Sequence, residues 1–325
     1  MLTAYYIDIV QKNNYTHLKT RMSFIGGGDM KKHIYSAAVI ASGCLWGLMG
    51  LFRRSMGSLG FDSFGIVFVR CGVAALLFAL TILIRDKSAF RVKLKDFWCF
   101  IGSGLCSLLF FSVCYFQAMT LMSLSAAAIL LYTAPCFVVL MSALLFQEKL
   151  NGRLILAVFL AFSGCCLVSG LVGQETKISL IGLLYGLGSG FGYALYSIFG
   201  KLALRRGYAS STINFYSCLL AALGAGLIFG VKAPLTLMFS SSGTLALCLL
   251  AGVVTSYLPY LLYTFGLSGI EAGRASVMAS VEPVVATLVG VLVYRESLNL
   301  YSLAGIALVL FAVLLTGIQG RKKGA

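Results

Sequence analysis

Two ionisable side chains, Arg70 and Glu282, lie deep within long apolar stretches of the sequence. If these stretches are helical, Arg70 is about 10 Å from the nearer end of its stretch, and Glu282 is near the middle of another. A charged side chain in an apolar phase is costly and is by default a candidate functional group. Arg70 and Glu282 are therefore candidates for an intramembrane charge or coupling role, and we expect Glu282 to be a proton or substrate site. A structural salt bridge, or an arginine that caps backbone carbonyls, is the alternative.

A group of aromatic side chains with polar atoms occupies the same stretches. Tyrosine and tryptophan near the ends of apolar helices usually belong to an interfacial belt. Several of these residues lie too deep for that, and their hydroxyls need hydrogen-bond partners when buried. We expect them to line an amphipathic cavity for organic solutes, with the interfacial belt as the alternative. The candidates are Trp46, Tyr115, Tyr132, Tyr193, Tyr196, Tyr257, Tyr260 and Tyr263.

Two prolines, Pro135 and Pro283, also lie in the middle of apolar stretches. Proline lacks a backbone donor and frees a carbonyl about one turn earlier, which lipid tolerates only where other groups satisfy that carbonyl. We expect each proline to bend its helix beside the cavity; a kink that serves packing alone is the alternative. Glu148 and Glu296, at the C-terminal ends of two stretches, face an unfavourable helix dipole. We expect structural or gating roles for them.

The sequence lacks the residue patterns that metal and nucleotide chemistry need. Both histidines, His17 and His33, precede the first apolar stretch, so no histidine and cysteine cluster can hold a catalytic metal. There is no phosphate-binding loop of the form GxxxxGK[ST]. The ten cysteines lie in or beside apolar stretches, where we expect buried apolar side chains rather than disulfides. We therefore expect no catalytic residue, no metal and no cofactor.

The elements that hold these residues follow from composition. Of the 325 residues, 60% are hydrophobic and 11% are charged, and the mean hydropathy is +0.96. A soluble domain has about 25% charged residues, whereas apolar runs of about 20 residues suit helices that cross a bilayer. We predict an all-α integral membrane fold with ten transmembrane helices. The predicted spans are 34–52, 63–84, 97–118, 124–146, 153–171, 179–200, 211–230, 243–266, 273–293 and 299–319.

The basic residues predict how these helices are oriented. The net charge is +15, but lysine and arginine sit between apolar runs rather than in a stripe with interleaved aromatics, so we expect no nucleic-acid partner. If the spans alternate from a cytoplasmic N-terminus, most of the basic residues face the cytoplasm, which is the usual bias. We predict a multi-pass protein of the cell membrane with both termini in the cytoplasm.

The clearest pattern is an internal repeat with one constant spacing and no gap. The matching pairs are Tyr115 with Tyr263, Pro135 with Pro283, Glu148 with Glu296, and Asn151 with Asn299. Such agreement of uncommon residues in one register is unlikely by chance. The pattern divides the chain into halves at 34–171 and 179–319, each with five predicted spans.

Five is an odd number, so the second half enters the membrane in the opposite direction. Inverted halves related by a pseudo-two-fold axis in the membrane plane are typical of secondary transporters. Such halves can exchange conformations, so that a site between them opens to either side in turn. We predict a secondary transporter that works by alternating access. A passive channel or facilitator is one alternative, and an integral membrane enzyme that transfers a lipid-linked group is another.

Several short motifs carry a resemblance to a known family. They are Trp46-Gly47, Val69-Arg70, Ala134-Pro135 followed by Glu148-Lys149-Leu150, and Glu282-Pro283 followed by Glu296-Ser297-Leu298. From about residue 34 to 319 the chain resembles the drug/metabolite transporter superfamily, EamA type. The resemblance implies a ten-helix carrier with a central cavity that exports or exchanges amino acids or similar metabolites. The chain departs from the pattern at Gln147 and Arg295, where the family usually has glycine.

The two ends of the chain fall outside the repeat. Residues 1–33 form a predicted N-terminal cytoplasmic tail, and residues 320–325 form a basic cytoplasmic C-terminus. The stretch Gly26-Gly27-Gly28-Asp29 requires purine-rich codons that readily contain a bacterial ribosome-binding sequence, so we expect translation to start at Met30. A flexible linker after a genuine tail is the alternative. The expected partners are a small-molecule substrate and the lipid bilayer, with a homodimer left open.

Overall fold

The computed structural model describes residues 28–169, 179–295 and 299–317. Within these ranges it consists of helices and turns without a β-strand, as the composition predicts. We number ten long helices, several of them interrupted, and leave unnumbered the short helical segments in the connections, which are Lys87–Phe90, Leu94–Asp96 and Lys232–Met238. The numbered helices are α1 (Gly28–Gly47 and Met49–Ser58), α2 (Ser63–Arg85), α3 (Phe97–Ile101, Gly102–Leu109 and Phe110–Leu121), α4 (Leu124–Leu131 and Ala134–Phe146), α5 (Gly152–Val168), α6 (Leu180–Arg205), α7 (Ser210–Phe229), α8 (Ser242–Gly252, Val253–Tyr257 and Leu258–Gly269), α9 (Ala272–Ala279 and Glu282–Tyr294) and α10 (Leu300–Gly317).

Eight segments of the described chain are long and apolar enough to cross a bilayer. They are His33–Ser58, Ser63–Arg85, Leu94–Leu121, Ala126–Phe146, Ser210–Phe229, Ser242–Gly269, Ala272–Tyr294 and Leu300–Gly317. α5 is apolar but has only 17 residues. α6 has 26 residues, and its many glycines and polar side chains lower its hydropathy. The all-helical membrane fold is confirmed, and the crossing of all ten helices stays a prediction.

Two helices extend well beyond their predicted spans. The predicted spans end at residues 52 and 200, but α1 continues to Ser58 after a break at Leu48, and α6 continues to Arg205. Both extensions contain lysine or arginine, which lower the hydropathy of a segment without ending its helix. The extension of α1 carries a half-buried Arg53 that the prediction placed in a loop.

Some predictions concern residues outside the described ranges. These are residues 1–27 of the tail predicted at 1–33, the C-terminus predicted at 320–325, and the motif glutamate Glu296. Residues 28–33 of the predicted tail instead begin α1. The cytoplasmic tails, the translation start at Met30 and the role of Glu296 therefore stay predictions.

The helices alternate in direction, which gives the bundle two ends. Tyr35, near the start of α1, packs on Phe265 near the end of α8, with ring centroids 4.9 Å apart. Arg274, at the start of α9, donates a hydrogen bond to the carbonyl of Thr316 at the end of α10. We call the end that contains the start of α1 and the end of α10 the terminal end, and the opposite end the far end.

The second half of the chain runs opposite to the first. α1 begins at the terminal end, whereas α6 finishes there. Near the last turns of α6, the Lys201 ammonium donates hydrogen bonds of 2.6 Å to the carbonyls of Leu267 and Ile270, at the end of α8. The first helix of each half therefore points in the opposite direction, as a repeat with an odd number of helices requires.

Corresponding joints of the two halves share one backbone conformation. Gln147 after α4 and Arg295 after α9 both have a φ of 56° in the left-handed region. Asn151 before α5 and Asn299 before α10 each accept a hydrogen bond of 2.8 Å from a backbone N–H three residues later. The repeat in residue spacing is therefore also a repeat of local structure.

Glycines bring α1 and α6 against interruptions in α9 and α4. A Cβ on Gly43 of α1 would lie 2.8 Å from the carbonyl oxygen of Ala279 in α9. A Cβ on Gly190 of α6 would lie 2.7 Å from the carbonyl oxygen of Leu130 in α4. These distances exclude a side chain, so both helices pack at backbone contact, as small residues permit in membrane proteins. The two contacts place α1, α4, α6 and α9 around one central space.

Candidate functional site

The central space is built on the interruptions of α4 and α9. Each helix is broken in its middle by two non-helical residues. Pro135 and Pro283 are the second residues of the segments that follow, where proline removes no intrahelical hydrogen bond. Glu282 is the first residue of its segment. The N-terminal end of a helix dipole favours a carboxylate, so the break gives Glu282 a suitable local environment.

A cavity of about 190 Å³ lies between the two halves. Tyr132 and Glu282 line it in the middle of the bundle, and Arg53 and Ser63 line it at the far end. The cavity therefore extends from the broken helices toward the far end. Its walls come from α1, α2, α3, α4, α6, α8 and α9.

Most of the predicted aromatic candidates meet in this cavity. They are Trp46, Tyr115, Tyr132, Tyr193, Tyr196, Tyr260 and Tyr263. The ring centroid of Trp46 is 6.0 Å from that of Tyr193, 5.4 Å from that of Tyr260 and 5.3 Å from that of Tyr263, in edge-on or tilted arrangements. Such arrangements are the favoured ones for aromatic pairs. Three tyrosines from α6 and α8 thus hold Trp46 of α1 in the cavity wall.

The hydroxyls of several cavity tyrosines have protein partners. Tyr263 Oη lies 2.7 Å from Ser197 Oγ, and Tyr193 donates a hydrogen bond of 3.2 Å to a carboxylate oxygen of Glu282. Because buried hydroxyls are costly when unpaired, these bonds fix the rings in one orientation. The result is an apolar wall with a few oriented polar atoms, which is the usual character of a small-molecule site.

Tyr257 does not line the cavity, contrary to the prediction. Its hydroxyl is 2.8 Å from Thr81 Oγ1, and its ring centroid is 4.6 Å from that of Phe78 in α2. Tyr257 closes the π-helical segment Val253–Tyr257 of α8. Depth within an apolar stretch, on which the prediction rests, does not determine which way this side chain faces.

Arg70 and Glu282 line the same cavity but do not form an ion pair with each other. The carboxylate of Glu282 is held by Tyr193, whereas the guanidinium of Arg70 faces the Met49 thioether and the Tyr260 hydroxyl. The salt bridge considered as a structural alternative is thus absent between these two residues. Two opposite charges remain available on the cavity wall.

The terminal end of the bundle is closed by one set of contacts between the two halves and another within the second half. The Glu148 carboxylate, at the end of α4, accepts hydrogen bonds from the backbone N–H groups of Ala272 (2.9 Å) and Gly273 (3.2 Å) at the start of α9. Lys201 holds the end of α8 through two carbonyls. We call these contacts of Glu148 and Lys201 the terminal seal.

A second, smaller cavity of about 20 Å³ lies on the other side of Glu282. Its lining includes Tyr132, Tyr193 and Glu282, shared with the main cavity, and Ser276 and Ser280 of α9. Ser276 lies in the first segment of α9, which begins at the terminal seal. Glu282 therefore stands between an open cavity and a narrow space that leads toward the closed end.

Several lining residues were missed by reasoning from the sequence. Met49 and Arg53 follow Trp46 at helical spacing on α1. Met49 carries no charge to single it out, and Arg53 lies just beyond the predicted span. Phe111 and Phe116 of α3 line the cavity through their apolar rings, which carry no polar atom to single them out. Within the described ranges, no group of three histidine, cysteine, aspartate or glutamate side chains could hold a metal ion.

Comparisons with known proteins identify the family. The model of the EamA-like transporter family matches residues 33–170 and again residues 180–318. An uncharacterized transporter of Archaeoglobus fulgidus is 30% identical over 86% of this chain and 94% of its own length. The uncharacterized transporter YwfM of Bacillus subtilis is 24% identical over 90% of this chain and 97% of its own length.

A solved crystal structure has the same fold. It superposes with a TM-score of 0.73 at 17% identity and covers 86% of this chain and 95% of the other. At that identity the similarity concerns the fold alone. The two matches of the family model carry the assignment, and they agree with the two halves of the bundle around one cavity. The chain belongs to the EamA-like transporter family, within the drug/metabolite transporter superfamily, and is a multi-pass membrane transporter.

Proposed function

We propose that this protein is a secondary transporter that moves a small organic metabolite, an amino acid or similar solute, out of the cell by alternating access. One observation carries the proposal: the central cavity extends to the far end, while contacts between the halves close the terminal end. A solute could reach Glu282 from the far end but could not continue through the seal. A carrier must hold its site in such a one-sided state.

The membrane orientation of this state follows from the basic residues. All ten helices cross the cytoplasmic membrane, and both termini lie in the cytoplasm because lysine and arginine concentrate in the segments on that side. The far end then faces outside, so the cavity is open to the exterior. The Lys201 and Glu148 contacts close the cytoplasmic side.

The terminal seal is weak enough to open during transport. Hydrogen bonds that involve a charged group contribute roughly 1.5–3 kcal/mol each. The two halves share the same joints, so hydrogen bonds broken at one end can be offset by equivalent bonds formed at the other. A gap of a few kcal/mol between two conformations leaves both populated enough to interconvert.

The direct test is solute flux in proteoliposomes. Purified protein should accumulate or exchange radiolabelled amino acids or related metabolites, with saturation and counterflow and without chemical change of the solute. Saturation and counterflow separate a carrier from a passive channel, and an unchanged solute separates it from a membrane enzyme. Flux that stays linear with concentration, or a chemically altered product, would contradict the proposal.

A second experiment tests the terminal seal itself. Glu148→Gln removes the negative charge of the side chain that accepts hydrogen bonds from the backbone N–H groups of Ala272 and Gly273. These bonds become weaker, so the terminal end should open more often. A cysteine at Ser276, in the narrow cavity, should then react faster with an impermeant thiol reagent from the terminal side. Glu271→Gln is the matched control, because Glu271 is exposed and its side chain does not cap α9. Equal labelling in both variants would argue against the seal.

A further inference from the structure

The guanidinium of Arg70 is buried without adequate partners. The residue is only 7% exposed. Its Nη1 faces the thioether sulfur of Met49 at 2.7 Å, its Nη2 lies 3.5 Å from the Tyr260 hydroxyl, and its Nε has no hydrogen-bond partner. A guanidinium has five N–H donors, and thioether sulfur is a weak acceptor. Burying a charged group whose donors are unsatisfied costs more than any single contact here returns.

The fold itself does not explain this arrangement. Elsewhere in the described chain an arginine does find a carboxylate: Arg206 pairs with Asp96 at 3.1 Å near the terminal end. The carboxylate that shares the cavity with Arg70 is Glu282, which is held by Tyr193 and forms no ion pair with Arg70. Neither carboxylate therefore forms an ion pair with Arg70. Arg70 lines the main cavity, so a bound solute could supply that acceptor.

We propose that Arg70 binds the carboxylate group of the transported solute. The planar fork of a guanidinium matches a carboxylate with two parallel hydrogen bonds. The adjoining Trp46 and Tyr260 rings would cover an apolar or aromatic body attached to that carboxylate. The substrate class is thus an organic carboxylate with an apolar body. This assignment rests on the proposed function, since it takes the cavity to be the transport site.

The charges of the cavity support an anion with a single charge. Arg53, Arg70 and Glu282 are the charged side chains in the described lining, which leaves one positive charge in excess. Arg53 is at the far end, where it lies over the Phe116 ring at 5.8 Å. A carboxylate carries one negative charge and balances this excess, whereas a phosphate monoester carries about 1.5 to 2 negative charges near pH 7.

The two tryptophans provide a direct binding assay. Trp46 is in the cavity wall, whereas Trp98 is 44% exposed outside it. The Trp98→Phe protein therefore retains one fluorescent reporter beside Arg70. We would titrate it with 3-phenylpropionate, with the uncharged 3-phenylpropanamide and with phenyl phosphate. Trp46 emission should change with the carboxylate at the lowest concentration, and the amide and phosphate should bind more weakly.

Variants of Arg70 in the same background give the decisive comparison. Arg70→Gln should weaken binding of 3-phenylpropionate by roughly 10- to 100-fold, as expected for lost hydrogen bonds to a charged group, and leave the amide unchanged. Arg70→Lys keeps the positive charge but lacks the two parallel N–H donors of the guanidinium, so its affinity for 3-phenylpropionate should be intermediate. This variant also provides the comparison if Arg70→Gln fails to fold. Lys232→Gln, at an exposed position outside the cavity, is the control and should match the parent.

Several results would overturn the assignment. They are equal affinities for the carboxylate and the amide, an unchanged preference in Arg70→Gln and Arg70→Lys, tighter binding of phenyl phosphate, or no response of Trp46 to any carboxylate. The assay measures binding without flux, so it separates the two proposals. Carboxylate binding without transport would contradict the proposed function alone, whereas transport without a carboxylate preference would contradict the role of Arg70 alone.

Discussion

At the scale of single residues, Glu282 occupies the most informative position. It begins the second segment of α9, lines both cavities and accepts a hydrogen bond from Tyr193. A carboxylate at this point can change its charge while facing the cavity, and no other described carboxylate lines either space. These facts suit a group that exchanges protons or contacts the solute as the protein changes conformation.

We expect Glu282→Gln to lose transport or the pH dependence of transport while it keeps normal expression. Glutamine preserves the size of the side chain and an acceptor for Tyr193, but it cannot exchange a proton. The measurement is the initial rate of flux in proteoliposomes over a range of pH. Glu271→Gln, exposed at the start of α9, is the matched control. Wild-type rates at every pH would show that Glu282 has neither role.

Trp46 should determine which solutes the cavity accepts. Its ring contacts Tyr193, Tyr260 and Tyr263, so Trp46→Ala would enlarge the cavity and remove an apolar face. We expect a shift in apparent affinity of about tenfold, or about 1.4 kcal/mol, with a preference for bulkier solutes. Competition assays with a set of solutes measure this, and Trp98→Phe is the control. An identical competition profile would show that Trp46 only fills space.

At the scale of elements, the backbone conformation just after α4 and α9 explains a glycine that the resembled family usually has at both positions. Gln147 and Arg295 adopt a positive φ, which glycine adopts without strain and other residues adopt at a cost. These are the two positions at which the chain departs from the glycine usual in the resembled family. The backbone conformation explains why glycine is common there, and it shows that this chain keeps the conformation without it.

Gln147→Gly should therefore stabilise the protein. Relief of the left-handed strain is expected to contribute about 1 kcal/mol, which corresponds to a rise in melting temperature of about 2 °C for a protein of this size. Gln147→Ala is the matched control, since it removes the same side chain and keeps the strain. Thermal unfolding in detergent compares the three proteins. A melting temperature that falls in Gln147→Gly, or rises equally in Gln147→Ala, would contradict the explanation.

At the scale of the whole molecule, the opposite direction of the two halves decides which surfaces can face which compartment. Contacts such as Arg274 with Thr316 place the start of α9 and the end of α10 at one end. The basic residues predict that this terminal end is cytoplasmic. The bundle geometry alone is compatible with either orientation, so the orientation needs its own test.

Cysteine labelling of intact cells provides that test. Ser58 is exposed at the far end, and Ser88 is exposed in the connection after α2 at the terminal end. An impermeant thiol reagent should label Ser58→Cys and should not label Ser88→Cys until the membrane is opened. The unmodified protein measures the background from its own cysteines. Labelling of Ser88→Cys in intact cells would reverse the orientation and make the observed cavity face the cytoplasm.

Much of the architecture could be predicted because its signals are local along the chain. The length of apolar runs predicts helices, and pairs such as Pro135 with Pro283 reveal the repeat through spacing alone. Most aromatic candidates also meet in the cavity, because the hydroxyl of a tyrosine deep in the membrane needs a hydrogen-bond partner and finds few outside such a cavity. Tyr257 is the exception, since depth along the chain does not determine which way a side chain faces, and its hydroxyl pairs with Thr81 instead.

The sequence by itself determined that the protein is helical, membrane-embedded and built from two related halves, because these properties depend on hydropathy and spacing. Only the tertiary structure decided that Arg70 and Glu282 form no ion pair with each other and that Glu148 seals the terminal end. The same holds for the extension of α1 that carries Arg53 into the cavity. These outcomes depend on helix rotation, on the breaks in α4 and α9 and on contacts between residues far apart in the chain. The order of residues along the chain does not specify the distances between residues that are far apart in sequence.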